Sequence, residues 1–255
     1  MIFRRIRIAI LLAVLVIVSL GTWWQSKANE NWDKAFRLTI YPINGDGSPQ
    51  VNEYIANLNE SDFSAVNSFL QTQAREYNLP VQPLFYLSMG PQLKEAPPIP
   101  PADRTALNMV TWSLGLRYWL FNSTRSVGLD SRHIRMFVVY HNGDNDMRLA
   151  HSYGLQKGLL GVVNAFAVPA EAGSNRVVIT HELLHLFGAT DKYGNGNLPV
   201  YPDGYAQPDR YPLYPQRLAE IMGGRIPVSK HKAYIPDSLD DCIIGSKTAA
   251  EINWY

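Results

Sequence analysis

Apolar and polar positions alternate first at Phe36, Leu38 and Ile40, which predicts a strand with one face turned to a core. The period then lengthens: Phe63, Val66, Phe69, Leu70 and Tyr77 recur at helical spacing and predict a helix over about 61–77. Leu84 to Met89 reads as a second strand, and Pro91 to Pro101, with its two Pro-Pro pairs, reads as a stiff surface connection. A helix is expected over about 102–121. Ile134, Met136, Val138 and Tyr140 restore the two-residue period in a third strand, closed by Asn142-Gly143-Asp144 as a hairpin turn. Ser152 to Ala167 supplies one or two further strands. Val177, Val178, Ile179, Leu183, Leu184, Leu186 and Phe187 are apolar around nearly the whole helical circumference, so that helix is expected inside the core. Ser238 to Trp254 reads as a closing helix. The order predicts an α+β architecture in one domain spanning 29–255, without an internal repeat.

The first 28 residues follow a different pattern. Ile8 to Leu20 is an unbroken run of apolar and small residues, preceded by Arg4, Arg5 and Arg7 and followed by Trp23 and Trp24. Arginines on the cytoplasmic side and tryptophans at the far interface predict a membrane signal. Extended through Trp24, the run approaches the roughly 20 residues that span a bilayer. Two outcomes are open: a single-pass anchor in the cell membrane, or a signal peptide cut after small residues such as Ser26 and Ala28, giving a secreted or periplasmic protein. Both put the domain on the extracytoplasmic side. A formal net charge of +1 gives no electrostatic footprint for nucleic acid. The single Cys242 excludes an intrachain disulfide, so packing, and a metal where one binds, must hold the core. Asn122-Ser123-Thr124 matches a glycosylation acceptor, relevant where exported proteins are glycosylated.

The chemistry concentrates in His181-Glu182-Leu183-Leu184-His185, continued by Gly188 and Asp191. Four residues on a helix return to nearly the same face, so both imidazoles can reach one ion. Glu182 lies beside them and can accept a proton from metal-bound water, then return it to a leaving group. Gly188 suits a left-handed helix end that swings Asp191 back towards the same ion. Average residue usage gives a bare His-Glu-x-x-His in roughly one chain of this length in a hundred, and the two added positions lower this below about one in ten thousand. Accident is therefore set aside, and one catalytic Zn2+ held by His181, His185 and Asp191 is expected. Glu220 and His231 compete for the third position. Asp144 and Asp146 read as a hydrated turn, and His133, His141 and His151 as ordinary polar residues.

These residues resemble the metzincin metallopeptidases, whose signature is His-Glu-x-x-His-x-x-Gly-x-x-His followed by a methionine-containing turn. Asp191 stands where the third histidine falls, as in the snapalysin-like branch of that group. Ala219-Glu220-Ile221-Met222-Gly223-Gly224 resembles the methionine turn, with Met222 as the apolar base beneath the ligands. Many members carry a tyrosine two residues after that methionine, where this chain has Gly224; Tyr193, Tyr201, Tyr205, Tyr211 and Tyr214 are the other candidates for its role. The likeness is confined to about residues 176–225. It implies a mixed twisted sheet with packed helices, and an exported or membrane-anchored endopeptidase that hydrolyses peptide bonds through a zinc-bound water activated by Glu182. The competing expectation is a non-catalytic envelope-binding module with a structural zinc, and hydrolysis of a non-protein amide would use the same chemistry. Oligomeric state is not specified by the sequence.

Overall fold

The computed structural model describes Arg7 and residues 31–255, apart from 81–82, 104, 125–131, 144–148 and 157. The expected membrane segment at 8–24 and the pair Asp144 and Asp146 lie outside the described residues. Among the described residues no helix is long and apolar enough to cross a membrane.

The fold is α+β, built on a five-stranded mixed sheet. Strands β1 (Phe36–Asn44), β2 (Phe85–Met89), β3 (His133–His141) and β5 (Leu160–Phe166) run parallel, while β4 (Tyr153–Leu155) pairs antiparallel at the edge, in the order β2-β1-β3-β5-β4. Parallel strands need helical crossovers, which cover both sheet faces and leave the strands apolar on both. Phe36, Leu38, Ile40, Ile134, Met136, Val138, Val163 and Ala165 face the larger core. Tyr41, Ile43, Phe137, Val139, Leu160 and Val162 face a smaller second core.

Helices α1 (Pro49–Asn57), α2 (Ser64–Glu76) and α4 (Ala172–His185) contribute to the larger core, and α3 (Ala106–Ser123) inserts Leu116 and Trp119 into the smaller one. The start of α1 is written locally: the Ser48 hydroxyl accepts from Val51 N–H, Pro49 opens the first turn, and Val51 and Ile55 give one buried stripe. Sequence pattern did not reveal this helix, because two apolar residues one turn apart make a weak period.

Two expectations fail. Among the described residues no hairpin follows β3, whose partners β1 and β5 are both parallel to it. The closing helix over 238–254 is instead a 3-10 turn at Leu239–Asp241, a strand β9 (Cys242–Ile243) and a short helix α5 (Ser246–Glu251). Tertiary pairing overrides helical propensity here: Cys242 and Ile243 align with Ala219 and Glu220 of β6 (Ala219–Glu220), the strand that leads into the Met222 turn. A separate hairpin, β7 (Ile226–Ser229) with β8 (Lys232–Tyr234), follows that turn.

Leu70 lies on α2 at 1% exposure within the larger core. Leu70→Ala is expected to cost about 2–5 kcal/mol, read as a lowered urea midpoint at unchanged m-value.

Candidate metal centre

Helix α4 carries His181 and His185 into the protein, with His181 and Glu182 buried and His185 half-buried. Each imidazole is fixed from behind. His181 Nδ1 donates to Ile221 O at 2.9 Å and His185 Nδ1 donates to Ala189 O at 2.7 Å. A carbonyl can only accept, so both Nδ1 atoms carry a hydrogen, and the neutral form of each ring presents an Nε2 lone pair.

These lone pairs converge. His181 Nε2 and His185 Nε2 are 3.1 Å apart, and Asp191 Oδ1 lies 3.1 Å from each. Three acceptors at this separation repel one another unless a cation sits among them. Tetrahedral ligands 2.0–2.2 Å from a zinc ion stand about 3.3 Å apart, so the spacing suits a single ion. The donor set of two imidazoles and one carboxylate suits the same metal. The interactions of Asp191 with His181 and His185 hold its carboxyl well below its ordinary range. Burial acts to lower His185, but the bond to Asp191 and the Ala189 carbonyl outweigh it and raise its pKa.

The ligand atoms of His181, Glu182 and His185 also lie within 4.8 Å of one another. Proximity alone therefore offers two carboxylates, and contact separates them: Asp191 touches both rings, while Glu182 keeps its Oε2 buried without a hydrogen-bond partner among the described residues. Burial raises the Glu182 carboxyl, against the lowering effect of the two histidines. A buried carboxylate oxygen without a partner is a poised proton acceptor.

The return of Asp191 depends on the turn at Gly188, whose φ of +106° is the left-handed conformation expected at a helix end. Beyond it lies a clamp that the sequence reading missed. Lys192 Nζ donates to Glu251 Oε2 at 2.8 Å and to Thr190 O at 2.9 Å. Glu251 also accepts from Thr190 N–H and Thr190 Oγ1, both at 2.9 Å. The residues on either side of Asp191 are thus gripped by α5, sixty residues away, a separation at which no local pattern signals a pairing.

The two competing ligands are engaged elsewhere. The Glu220 carboxylate is fully buried and accepts from Gly223 N–H, Gly245 N–H and Thr248 Oγ1 at 2.8, 3.2 and 2.6 Å. His231 is exposed at the β7–β8 turn. Met222 is fully buried, and its turn meets the metal helix through the Ile221 carbonyl and the loop through Lys192 N–H donating to Met222 O at 2.8 Å.

Of the five candidate tyrosines, Tyr193 places its ring beside His181, with centroids 6.2 Å apart. Burial, and then the charge of Asp191, push its hydroxyl up to about 12. Tyr205 and Tyr214 bond each other through their hydroxyls, and Tyr201 and Tyr211 are exposed. His133 bonds Thr39, His141 bonds Asn164, and His151 is exposed, none of them a member of the cluster. A side chain at Gly154 of β4 would strike Glu182 O at 2.7 Å, so the edge strand lies directly on α4.

No family model and no curated protein matches this chain. Among solved structures, it is similar to one described as a chaperone-substrate complex, at 14% identity and a TM-score of 0.38, covering 86% of this chain and 33% of that one. It is also similar to wild-type OgpA from Akkermansia muciniphila, at 11% identity and a TM-score of 0.39, covering 86% of this chain and 60% of that one. The chain therefore spans about a third and three-fifths of these two structures.

Glu251 supplies a pH test of the clamp. Burial works to raise its carboxyl, but the bonds from Lys192 and Thr190 prevail and hold it below its ordinary value. A depressed carboxylate stabilises the fold fully above its unfolded pKa of about 4.3 and loses that contribution as pH falls through the folded value. Glu251→Gln is expected to cost about 1–3 kcal/mol at pH 7. The gap from the parent should narrow in urea unfolding at pH 3.

Proposed function

We propose that this protein is a zinc-dependent endopeptidase of metzincin type, acting on the extracytoplasmic side of a membrane to which its N-terminal segment directs it. The observation that carries this reading is the meeting of His181 Nε2, His185 Nε2 and Asp191 Oδ1, each 3.1 Å from the other two, beside the unpartnered Glu182 carboxylate.

His181, His185 and Asp191 would hold the ion. When bound, zinc supplies Lewis-acid polarisation of a carbonyl and makes water more acidic. The chain's own residues do the rest. Ile221 O and Ala189 O fix the ring orientations, so the donors are pre-organised. Glu182 takes a proton from the attacking water and delivers it to the departing amine nitrogen; the burial that raises its pKa shifts it towards the range where both transfers are accessible. Tyr193, beside His181 and protonated at neutral pH, is the donor this reading assigns to a developing oxyanion. The single negative charge of Asp191 leaves the centre one unit less positive than a three-histidine site.

The N-terminal part rests on the sequence alone: arginines, an apolar run and two tryptophans, the last of them seven residues before Asn31.

Metal analysis of the purified full chain tests the centre. About one zinc per chain is expected, with Asp191→Ala binding it more weakly and Glu182→Gln retaining it. Against a peptide library, Glu182→Gln should lower turnover about 10²- to 10⁴-fold with the metal still in place. Protein that takes up no zinc overturns the reading. Zinc binding with activity indifferent to Glu182 would leave a non-catalytic module.

A further inference from the structure

Helix α3 is apolar on the side that should be polar. It spans Ala106–Ser123 and packs Leu116 and Trp119 inward against the second face of the sheet. Its outward side carries Leu107, Val110, Leu114 and Tyr118, at 73%, 56%, 60% and 71% exposure. Steps of three, four and four residues confine them to an arc of about 80° at 100° per residue. Arg117 is the only charged residue in the whole helix. A helix lying on the surface of a soluble domain normally turns charged residues outward, and a continuous exposed apolar stripe marks an interaction surface.

The path of the chain selects the occupant. Eight residues separate Ser123, the last of α3, from Arg132, whose guanidinium donates to Asn31 O at 2.9 Å and Lys34 O at 2.7 Å. The domain therefore begins at the end of the sheet where β1 and β3 start. From Asn31 back to Trp24 the chain has seven residue steps, a reach of about 25 Å when fully extended. The 18-residue α3 is about 27 Å long. A bilayer entered by the apolar run is thus held within about 25 Å of Asn31, a reach comparable to the length of α3.

We infer that the outer face of α3 lies in the interfacial region of the same bilayer, with Leu107, Val110, Leu114 and Tyr118 among the acyl chain ends and Arg117 at the lipid phosphates. Aliphatic and aromatic side chains edged by a cation have the chemistry of an interfacial helix. The sheet separates α3 from the metal helix α4, so docking in this way leaves the candidate centre turned away from the lipid. The inference rests on the proposed membrane tether but not on the metal centre.

The experiment uses the full chain reconstituted in vesicles of phosphatidylcholine and phosphatidylglycerol, with a fluorophore on Leu107→Cys, Leu114→Cys or Tyr118→Cys. Ser68→Cys on α2, exposed on the opposite face, is the control. The native Cys242 is buried and stays unlabelled. Nitroxide-bearing lipid is expected to remove most of the fluorescence at the three α3 positions and little at Ser68, with iodide in water showing the reverse. Iodide quenching at α3 equal to that at Ser68, in protein that still floats with the vesicles after carbonate washing, overturns the inference. Energy transfer between labelled copies with protection from both quenchers overturns it in favour of a second copy. Failure to float with the vesicles removes the tether reading itself, and the inference falls with it.

Discussion

Everything at the candidate centre hangs on the short turn from Glu220 to Gly224. Its Ile221 carbonyl orients His181, and its Met222 carbonyl receives Lys192 N–H, so the helix with two ligands and the loop with the third are fastened to the same few atoms. The turn is held in its own right by the buried Glu220 carboxylate, which accepts from Gly223 within it and from Gly245 and Thr248 beyond it. Burial raises that carboxyl, and three donors are the condition on which it can remain charged there. A polar network of this kind favours one arrangement strongly, because any partial version leaves a charge in the core without partners.

That dependence explains which features were legible in the sequence. The His181, Glu182, His185, Gly188 and Asp191 series is local: helical geometry brings the first three together, and the turn at Gly188 returns the last to them. The β1 and β3 alternations were read correctly for one sheet face, Phe36, Leu38 and Ile40 with Ile134, Met136, Val138 and Tyr140. The second face was not foreseen, since a parallel strand buried on both sides gives no polar positions against which to count. The C-terminal segment misled for the opposite reason: its own residues favour a helix, but its pairing with β6 is set by the Met222 turn, more than twenty residues upstream. The Lys192–Glu251 clamp left no trace in the pattern because each member alone is an unremarkable charged residue.

The sheet divides the molecule into unequal halves. Helices α1 and α2 and the C-terminal segment build, with α4, the core on one face, while α3 covers the other face with Leu116 and Trp119 and turns a second apolar surface outward. The first half has the dense polar anchoring that a fixed constellation of ligands needs. The second has little of it, and contact with a surrounding apolar phase is the use that such a helix best serves.

The place where the described domain begins has a mechanical meaning. Trp32 donates through Nε1 to Ile252 O at 2.7 Å, and its ring lies 4.5 Å from Phe187, just past the end of the metal helix, and 5.8 Å from Trp254. The two ends of the fold are therefore stitched to each other and to the metal helix by one aromatic cluster. A pull on the N-terminal segment is delivered not to a remote strand but to this cluster, and so to the helix and loop that carry the ligands. In a tethered protein, the same stitch makes the ligand geometry answerable to tension along the leash.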